Sequence, residues 1–125
     1  MKVGFVGLGN VGGKLAGSLL RNGFDLTVHD LNRDLVAGFI ERGARSADSA
    51  FAVMEACDAV ITCLQSPAAS ATVVEEMLPA VDDSKIWLEM STTDAGEVKR
   101  LASLVEARGG SAIECPVSGG CHRAD

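Results

Sequence analysis

The chain has 125 residues, of which 47% are hydrophobic and 22% are charged, a balance typical of one globular domain with its own core. Acidic residues outnumber basic ones by 17 to 11, which gives a formal charge of −6. No basic stripe is present, so we expect no nucleic-acid partner. No apolar run approaches the roughly 20 residues of a membrane span, so we expect no membrane association. The four cysteines lack CxxC spacing, which indicates free thiols and a cytoplasmic location.

Short β-branched runs alternate with helical patterns along the chain, which predicts βαβ units and a parallel sheet. The predicted strands are 2–6, 24–28, 44–45, 58–64, 86–88 and 111–114. The predicted helices cover 11–22, 32–41 and 49–56, a segment that begins at 66, and a segment from 93 to 108.

Apolar stripes mark the faces of three helices that we expect to be buried. Their members are Leu15, Leu19 and Leu20 in the first helix, Leu35, Val36, Phe39 and Ile40 in the second, and Val73, Val74, Met77 and Leu78 in the fourth. Together these elements predict a single α/β domain over 1–125, a doubly wound parallel sheet of the Rossmann type with helices on both faces. The expected strand order is 3-2-1-4-5-6, with a ligand crevice at the carboxyl ends of strands one and four. The sixth strand would be an exposed edge, which favours self-association.

A glycine-rich loop, Gly7-Leu8-Gly9-Asn10-Val11-Gly12, follows the first strand and opens the first helix. This context is typical of a dinucleotide-binding GxGxxG loop. The first glycine permits the tight turn, the second lets the backbone approach a pyrophosphate, and the third allows the helix to pack on the sheet. The backbone amides near Asn10 and Val11 would then face the phosphates. The alternative is that the glycines serve only the turn and the packing.

Asp30 ends the second strand at about the spacing from Gly7 expected for the acid that binds the adenosine ribose. A 2′-phosphate would meet this like charge, so NAD is favoured as the cofactor and NADP is less favoured. Arg33 lies close enough in sequence to keep NADP open. The alternative role of Asp30 is that of a strand-end cap.

Four segments together resemble the 3-hydroxyisobutyrate dehydrogenase (β-hydroxyacid dehydrogenase) family. They are residues 2–12 (KVGFVGLGNVG), 62–65 (TCLQ), 90–92 (MST) and 114–120 (ECPVSGG), and the resemblance covers the whole chain. It implies the NAD-binding half of an oxidoreductase that transfers a hydride between a nicotinamide cofactor and a small 3-hydroxy acid. Departures from the family pattern include Val11 for methionine and Gln65 for proline.

The resemblance also implies roles for particular residues. Leu64 and Gln65 would lie along the nicotinamide ribose, and Thr92 would contact the cofactor. Ser118, Gly119 and Gly120 would bind the substrate carboxylate, a role suited to a turn that presents several donors to one anion. The family's catalytic lysine and its helical, dimer-forming second domain would lie beyond Asp125. We therefore expect no catalytic residue in this chain, little activity from it alone, and a homo-oligomer for the complete enzyme.

Two alternatives to a dehydrogenase half are compatible with the residues. The first is a stand-alone dinucleotide-binding module or sensor without catalysis, although a substrate loop would have no use there. The second is a metal site at Cys115, Cys121 and His122, whose spacing fits no zinc pattern and for which no fourth ligand is apparent. We expect no metal.

Overall fold

The structure is a computed structural model that describes residues 1–90, 95–114 and 122–123. Strands and helices alternate through this part of the chain. They are β1 (Lys2–Val6), α1 (Asn10–Arg21), β2 (Asp25–His29), α2 (Arg33–Glu41), β3 (Arg45–Ser46), α3 (Ala50–Ala56), β4 (Ala59–Thr62), α4 (Pro67–Met77), β5 (Ile86–Glu89), α5 (Ala95–Ala107), β6 (Ser111–Glu114) and β7 (His122–Arg123). Among these described helices, none is long and apolar enough to cross a membrane.

All strands form one sheet in the order β3-β2-β1-β4-β5-β6-β7. The first six run parallel in the order predicted from the sequence, and the Rossmann-type fold class is confirmed. β7 is an addition, and it pairs antiparallel with β6 at Ile113 and Glu114. The edge predicted to be exposed at β6 is therefore paired over the last two of its four residues. Two residues just after a glycine-rich segment carry no strand pattern, so the sequence could not indicate this pairing.

Helices pack on both faces of the sheet, as expected. One face carries α1 and α2, and its core includes Phe5, Val28 and Ile61 from the strands. The other face carries α3, α4 and α5, and its core includes Val60 and Trp87. Successive residues of a strand point to opposite faces, so neighbours in β4 contribute to different cores. The continuous apolar run of β4 follows from burial on both sides, and all four of its residues are buried.

Helix α2 differs from the prediction. Phe39 is its one buried residue, whereas Leu35 is 36% exposed and Ile40 is 49% exposed. The helix covers the outer end of the sheet, where β3 has two residues, so little sheet is available for a full apolar face. In α1 the buried residues are Gly12, Ala16 and Gly17, and the three predicted leucines pack partly buried beside them. The predicted stripe of α4 is correct, with Val74 and Met77 buried and its other two members partly buried.

Two strands end at residues other than those predicted, and both differences affect the site. β4 ends at Thr62 rather than at residue 64, so Cys63 and Leu64 belong to the loop that follows. β2 extends to His29, which leaves Asp30 as the first residue of the next loop. Ser66 caps α4 by accepting a hydrogen bond from the Ala69 amide over 3.1 Å, and Pro67 occupies the first helical position.

A first prediction concerns the central strand. Gly4 of β1 is buried, and a Cβ atom there would overlap the Val53 side chain of α3. We expect Gly4→Ala to lower the free energy of unfolding by about 1–3 kcal/mol, measured by urea denaturation. Gly38→Ala, in α2 with no neighbour within 4 Å, is the control and is expected to stabilise by about 0.4–1 kcal/mol. Equal stability of the two variants would contradict the packing described here.

Candidate cofactor site

A cleft of about 630 Å³ opens at the carboxyl edge of the sheet, a volume within the range of small-molecule and cofactor sites. Eight of the residues expected to bind the cofactor line it: Gly7, Gly9, Asn10, Val11, Gly12, Asp30, Leu64 and Gln65. The chain thus brings together residues from the ends of β1, β2 and β4. Leu8 is different, because its side chain is 2% exposed and belongs to the core.

The cleft also contains residues that the sequence did not indicate. These are Asn32, Leu35, Cys63, Ala69 and Met90. The helical spacing of Leu35 predicts a core position, but Leu35 lines the cleft. Met90 follows β5, so the cleft extends along the ends of four neighbouring strands, from β2 to β5. A sequence signal existed for Cys63 and Met90, because both directly follow strands that end at the same edge.

Two glycines of the loop are required by the fold itself. Gly7 has φ +102°, and a Cβ atom on it would overlap the carbonyl group of Cys63. A Cβ atom on Gly12 would overlap the carbonyl oxygen of Gly7, because α1 begins directly against the end of β1. Both positions would need glycine even if no ligand bound.

Gly9 is not explained by the fold. Its φ of −68° suits any residue, and a Cβ atom there would meet a single atom within 4 Å, Nε2 of Gln65 at 3.8 Å. Gly9 is also the N-cap of α1, where it provides no side-chain hydrogen bond to the first helical amides. Serine, threonine or aspartate would cap the helix better. Glycine here leaves the helix amides and the adjoining space open to an anion.

The Asp30 carboxylate joins two loops of the cleft. Its Oδ2 accepts a hydrogen bond from the Leu8 amide over 2.7 Å, and its Oδ1 accepts one from the Asn32 amide over 2.8 Å. The glycine-rich loop is thereby held to the turn between β2 and α2. A carboxylate accepts about four hydrogen bonds, so Asp30 retains acceptor capacity towards the cleft that it lines. The structural role and a ribose-binding role are therefore compatible.

Arg33 lies outside this cleft. It lines a smaller hollow of about 250 Å³ on the other side of Asp30, between α2 and the loop after β3. His29 lines the same hollow, and its Nδ1 atom is 3.1 Å from the Ala47 carbonyl oxygen. Arg33, the arginine close enough in sequence to meet a 2′-phosphate, therefore lines a neighbouring hollow that shares Asp30 with the cleft.

A buried polar chain lies behind the β4–β5 end of the cleft. Trp87 Nε1 donates to Thr62 Oγ1 over 2.9 Å, and Thr62 Oγ1 donates to Glu89 Oε2 over 3.3 Å. All three residues have 0% exposure. Burial raises the pKa of the nearby Cys63 thiol, and the negative charge of Glu89 raises it further. Cys63 is therefore protonated at neutral pH and is a poor nucleophile.

Some expected site residues lie outside the described residues, namely Thr92, Ser118, Gly119 and Gly120. The same holds for the side chains of the alternative metal site at 115, 121 and 122. Elsewhere in the described part of the chain, no group of three or more His, Cys, Asp or Glu residues could hold a metal ion. Lys2, Lys14, Lys85 and Lys99 do not line the cleft, and Lys85 donates to the Cys57 carbonyl oxygen over 2.7 Å.

A second prediction separates the two roles of Asp30 in the ligand-free chain. Asp30→Ala leaves two loop amides without their acceptor, so we expect the free energy of unfolding to fall by about 1–3 kcal/mol. Asp30→Asn retains one acceptor oxygen and is expected to lose less. Asp48→Ala removes an exposed acid nearby and is expected to change stability by less than about 0.5 kcal/mol.

Urea denaturation followed by the fluorescence of Trp87, the one tryptophan of the chain, measures all three variants. If Asp30→Ala were as stable as the wild type, the carboxylate would not support the loops.

Comparison with known proteins gives a consistent result. The family model described as the NAD-binding domain of 6-phosphogluconate dehydrogenase matches residues 2–125. The cytokine-like nuclear factor N-PAC of Pongo abelii is 36% identical over 121 residues, which cover 94% of this chain and 22% of that protein.

Solved structures show the same relationship. A 3-hydroxyisobutyrate dehydrogenase of Mycobacterium tuberculosis, with L-serine, superposes with a TM-score of 0.88 and 25% identity over 95% of this chain and 41% of its own. A reductive aminase of Aspergillus terreus, in complex with NADPH4, superposes with a TM-score of 0.80 and 28% identity over 95% of this chain and 42% of its own.

The chain thus spans less than half the length of these relatives. The resemblance to the 3-hydroxyisobutyrate dehydrogenases is confirmed. With its parallel sheet, its glycine-rich loop and this match over nearly every residue, the chain belongs to the NAD-binding domain family of 6-phosphogluconate and β-hydroxyacid dehydrogenases.

Proposed function

We propose that the chain binds NAD in the cleft at the carboxyl edge of its sheet. Bound there, it would serve as the cofactor half of an oxidoreductase acting on a small 3-hydroxy acid, such as 3-hydroxyisobutyrate. The observation that carries this proposal is Gly9, a glycine that the backbone does not need and that leaves open space beside uncapped helix amides. A pyrophosphate requires both the space and the amides.

The direction of the cofactor follows from the order of the strands. With the pyrophosphate at the β1–α1 loop, the adenosine extends towards Asp30 at β2. The nicotinamide half then extends the other way, along Leu64 and Gln65 after β4 and towards Met90 after β5. We propose that Thr92 adds a cofactor contact at this end. Ser118, Gly119 and Gly120 would hold the substrate carboxylate.

NAD is favoured over NADP by the fixed position of Asp30. Two backbone amides hold the carboxylate in the ligand-free chain, so it cannot easily turn away from an incoming 2′-phosphate. Like charges at short distance would then oppose NADP binding. Arg33 lines the neighbouring hollow and is not among the residues that line the cleft.

The bound cofactor supplies the hydride acceptor, and the chain positions it. In the proposed reaction, a nicotinamide cofactor held there would take the hydride from the carbon that bears the hydroxyl, and a base would have to take the hydroxyl proton. No lysine of this chain lines the described cleft. By resemblance, that base would be a lysine of the complete protein beyond Asp125. The complete protein would then be a homo-oligomer, and the free thiols of Cys57 and Cys63 support a cytoplasmic location.

A second candidate function is a dinucleotide-binding module without catalysis. It is favoured by the absence of a lysine from the described cleft and by the 36% identity to a relative named as a nuclear factor. Both candidates bind the cofactor in the same way, and they differ in whether the complete protein turns over a substrate.

A third prediction tests the cofactor site without disturbing the fold. Gly9→Ala places a methyl group where the pyrophosphate would lie, yet that group meets a single atom of the empty protein within 4 Å. We expect calorimetric titration to show NAD binding weakened by about tenfold or more, a loss of roughly 1.4 kcal/mol. Unfolding stability is expected to stay within about 0.5 kcal/mol of the wild type.

Gly38→Ala is the matched control and should bind NAD as the wild type does. Wild-type binding that favours NADP would overturn the cofactor preference. Binding of neither NAD nor NADP to the wild type would overturn the proposed function.

A fourth prediction concerns turnover by this chain alone. Mixed with NAD and 3-hydroxyisobutyrate, it is expected to produce no NADH above the background rate. The described lining of the cleft contains no lysine or histidine that could take the hydroxyl proton, and its one carboxylate, Asp30, is held by two backbone amides. The absorbance of NADH measures the product. Steady turnover would show instead that a residue of this chain acts as the base.

A further inference from the structure

Gln65 is a polar residue in the loop between β4 and α4, and the backbone is fixed on both sides of it. Before it, the Cys63 amide donates to the Val6 carbonyl oxygen over 3.0 Å, which ties the start of the loop to the end of β1. After it, Ser66 caps α4 by accepting from the Ala69 amide. The loop therefore presents the exposed Gln65 side chain from a defined point on the edge of the cleft.

The Gln65 side chain ends beside the glycine-rich loop. Its Nε2 atom lies 3.8 Å from the position that a Cβ atom would take on Gly9. That position belongs to the open space next to the first amides of α1, where the pyrophosphate is proposed to lie. A group in this space would have the helix amides on one side and the Gln65 amide on the other.

The Gln65 amide is available to a ligand. A glutamine amide nitrogen carries two hydrogens that it can donate. Within the described residues, the Gln65 side chain has no hydrogen-bond partner of its own. The described lining of the cleft also contains no lysine or arginine, so neutral donors would hold an anion there. Each of these donors then contributes a larger share of the binding.

We propose that the side-chain amide of Gln65 donates a hydrogen bond to the pyrophosphate of the dinucleotide, opposite the amides of α1. The inference rests on the proposed function, because it requires a dinucleotide in the cleft. It differs from the role implied by the family resemblance, in which Gln65 lies along the nicotinamide ribose. The proline of the family pattern at this position could not make the contact, because its side chain has no donor.

The test uses ligands that contain different parts of the dinucleotide. NAD has the pyrophosphate and both ribose groups, ADP has the pyrophosphate without the nicotinamide ribose, and adenosine has no phosphate. Calorimetric titration gives their dissociation constants for the wild type and for Gln65→Met, which keeps an unbranched side chain and removes the donor. We expect Gln65→Met to bind NAD and ADP about fivefold or more weakly, as for the loss of one hydrogen bond to a charged group. The affinity for adenosine is expected to change by less than about twofold, because adenosine lacks that acceptor.

A second variant tests the same contact with a charge. Gln65→Glu has nearly the same shape but is negative, so it is expected to weaken NAD and ADP more than Gln65→Met does. The side chain is exposed, so this additional loss is expected to shrink as salt is added. Ala68→Glu is the matched control, because it adds the same charge at an exposed position of α4 outside the described lining. At physiological salt it is expected to change each affinity by less than about twofold.

A measurement on the wild type does not depend on the variants. Gln65 is the only glutamine of the chain, so isotope labelling of glutamine isolates its side-chain amide signals in NMR spectra. Saturation with ADP is expected to shift these signals, and saturation with adenosine is expected to leave them in place. If the variants do not fold, as judged by circular dichroism, signals that ADP leaves unshifted overturn the inference.

Each other outcome has one meaning. Weakening of NAD but not of ADP by Gln65→Met assigns the amide to the nicotinamide half and overturns the inference, while the proposed function stands. Unchanged binding of both ligands, or equal weakening of adenosine and ADP, overturns it in the same way. Failure of the wild type to bind NAD overturns the proposed function instead.

Discussion

The contact between Gly12 and the Gly7 carbonyl is the constraint on which the site depends. It allows α1 to begin directly above the end of β1, closer than any side chain would permit. The first turn of the helix therefore lies at the carboxyl edge of the sheet, next to the strand ends. The other parts of the cleft lie beside this first turn. They include the glycine-rich loop, which Asp30 holds, and the loop that follows β4.

Much of the fold was predictable because its pattern is repeated. Each parallel strand buried on both faces has a short apolar run, and each crossover helix has a stripe, so strand order followed from the rules of βαβ connection. The errors share one cause, which is that a local pattern does not indicate what lies opposite it. Leu35 and Ile40 have helical spacing suited to a core, but the sheet is too narrow there to cover them. The pairing of β7 with β6 depends on a distant partner in the same way.

The sequence predicted most of the residues that line the cleft, but not the contacts that each of them makes. The spacing of Gly7, Gly9 and Gly12 indicates a dinucleotide loop, but it cannot separate glycines that the backbone needs from one that leaves room for a ligand. That distinction required the positions of Cys63 and Gln65 across the cleft. Asp30 is similar, because its spacing predicts a ribose acceptor while its bonds to two backbone amides appear only in three dimensions. Buried Glu89 gave no signal at all, since an acid at a strand end is ordinarily taken as exposed.

The bonds of Asp30 also have a kinetic consequence. Because the glycine-rich loop is already tied to the β2–α2 turn, a dinucleotide bound as proposed would meet a formed surface, and little conformational entropy would be lost on association. Capture of its adenosine half would then be limited by encounter and orientation rather than by a loop rearrangement. Differences in affinity among dinucleotides would accordingly arise from how long each one stays bound.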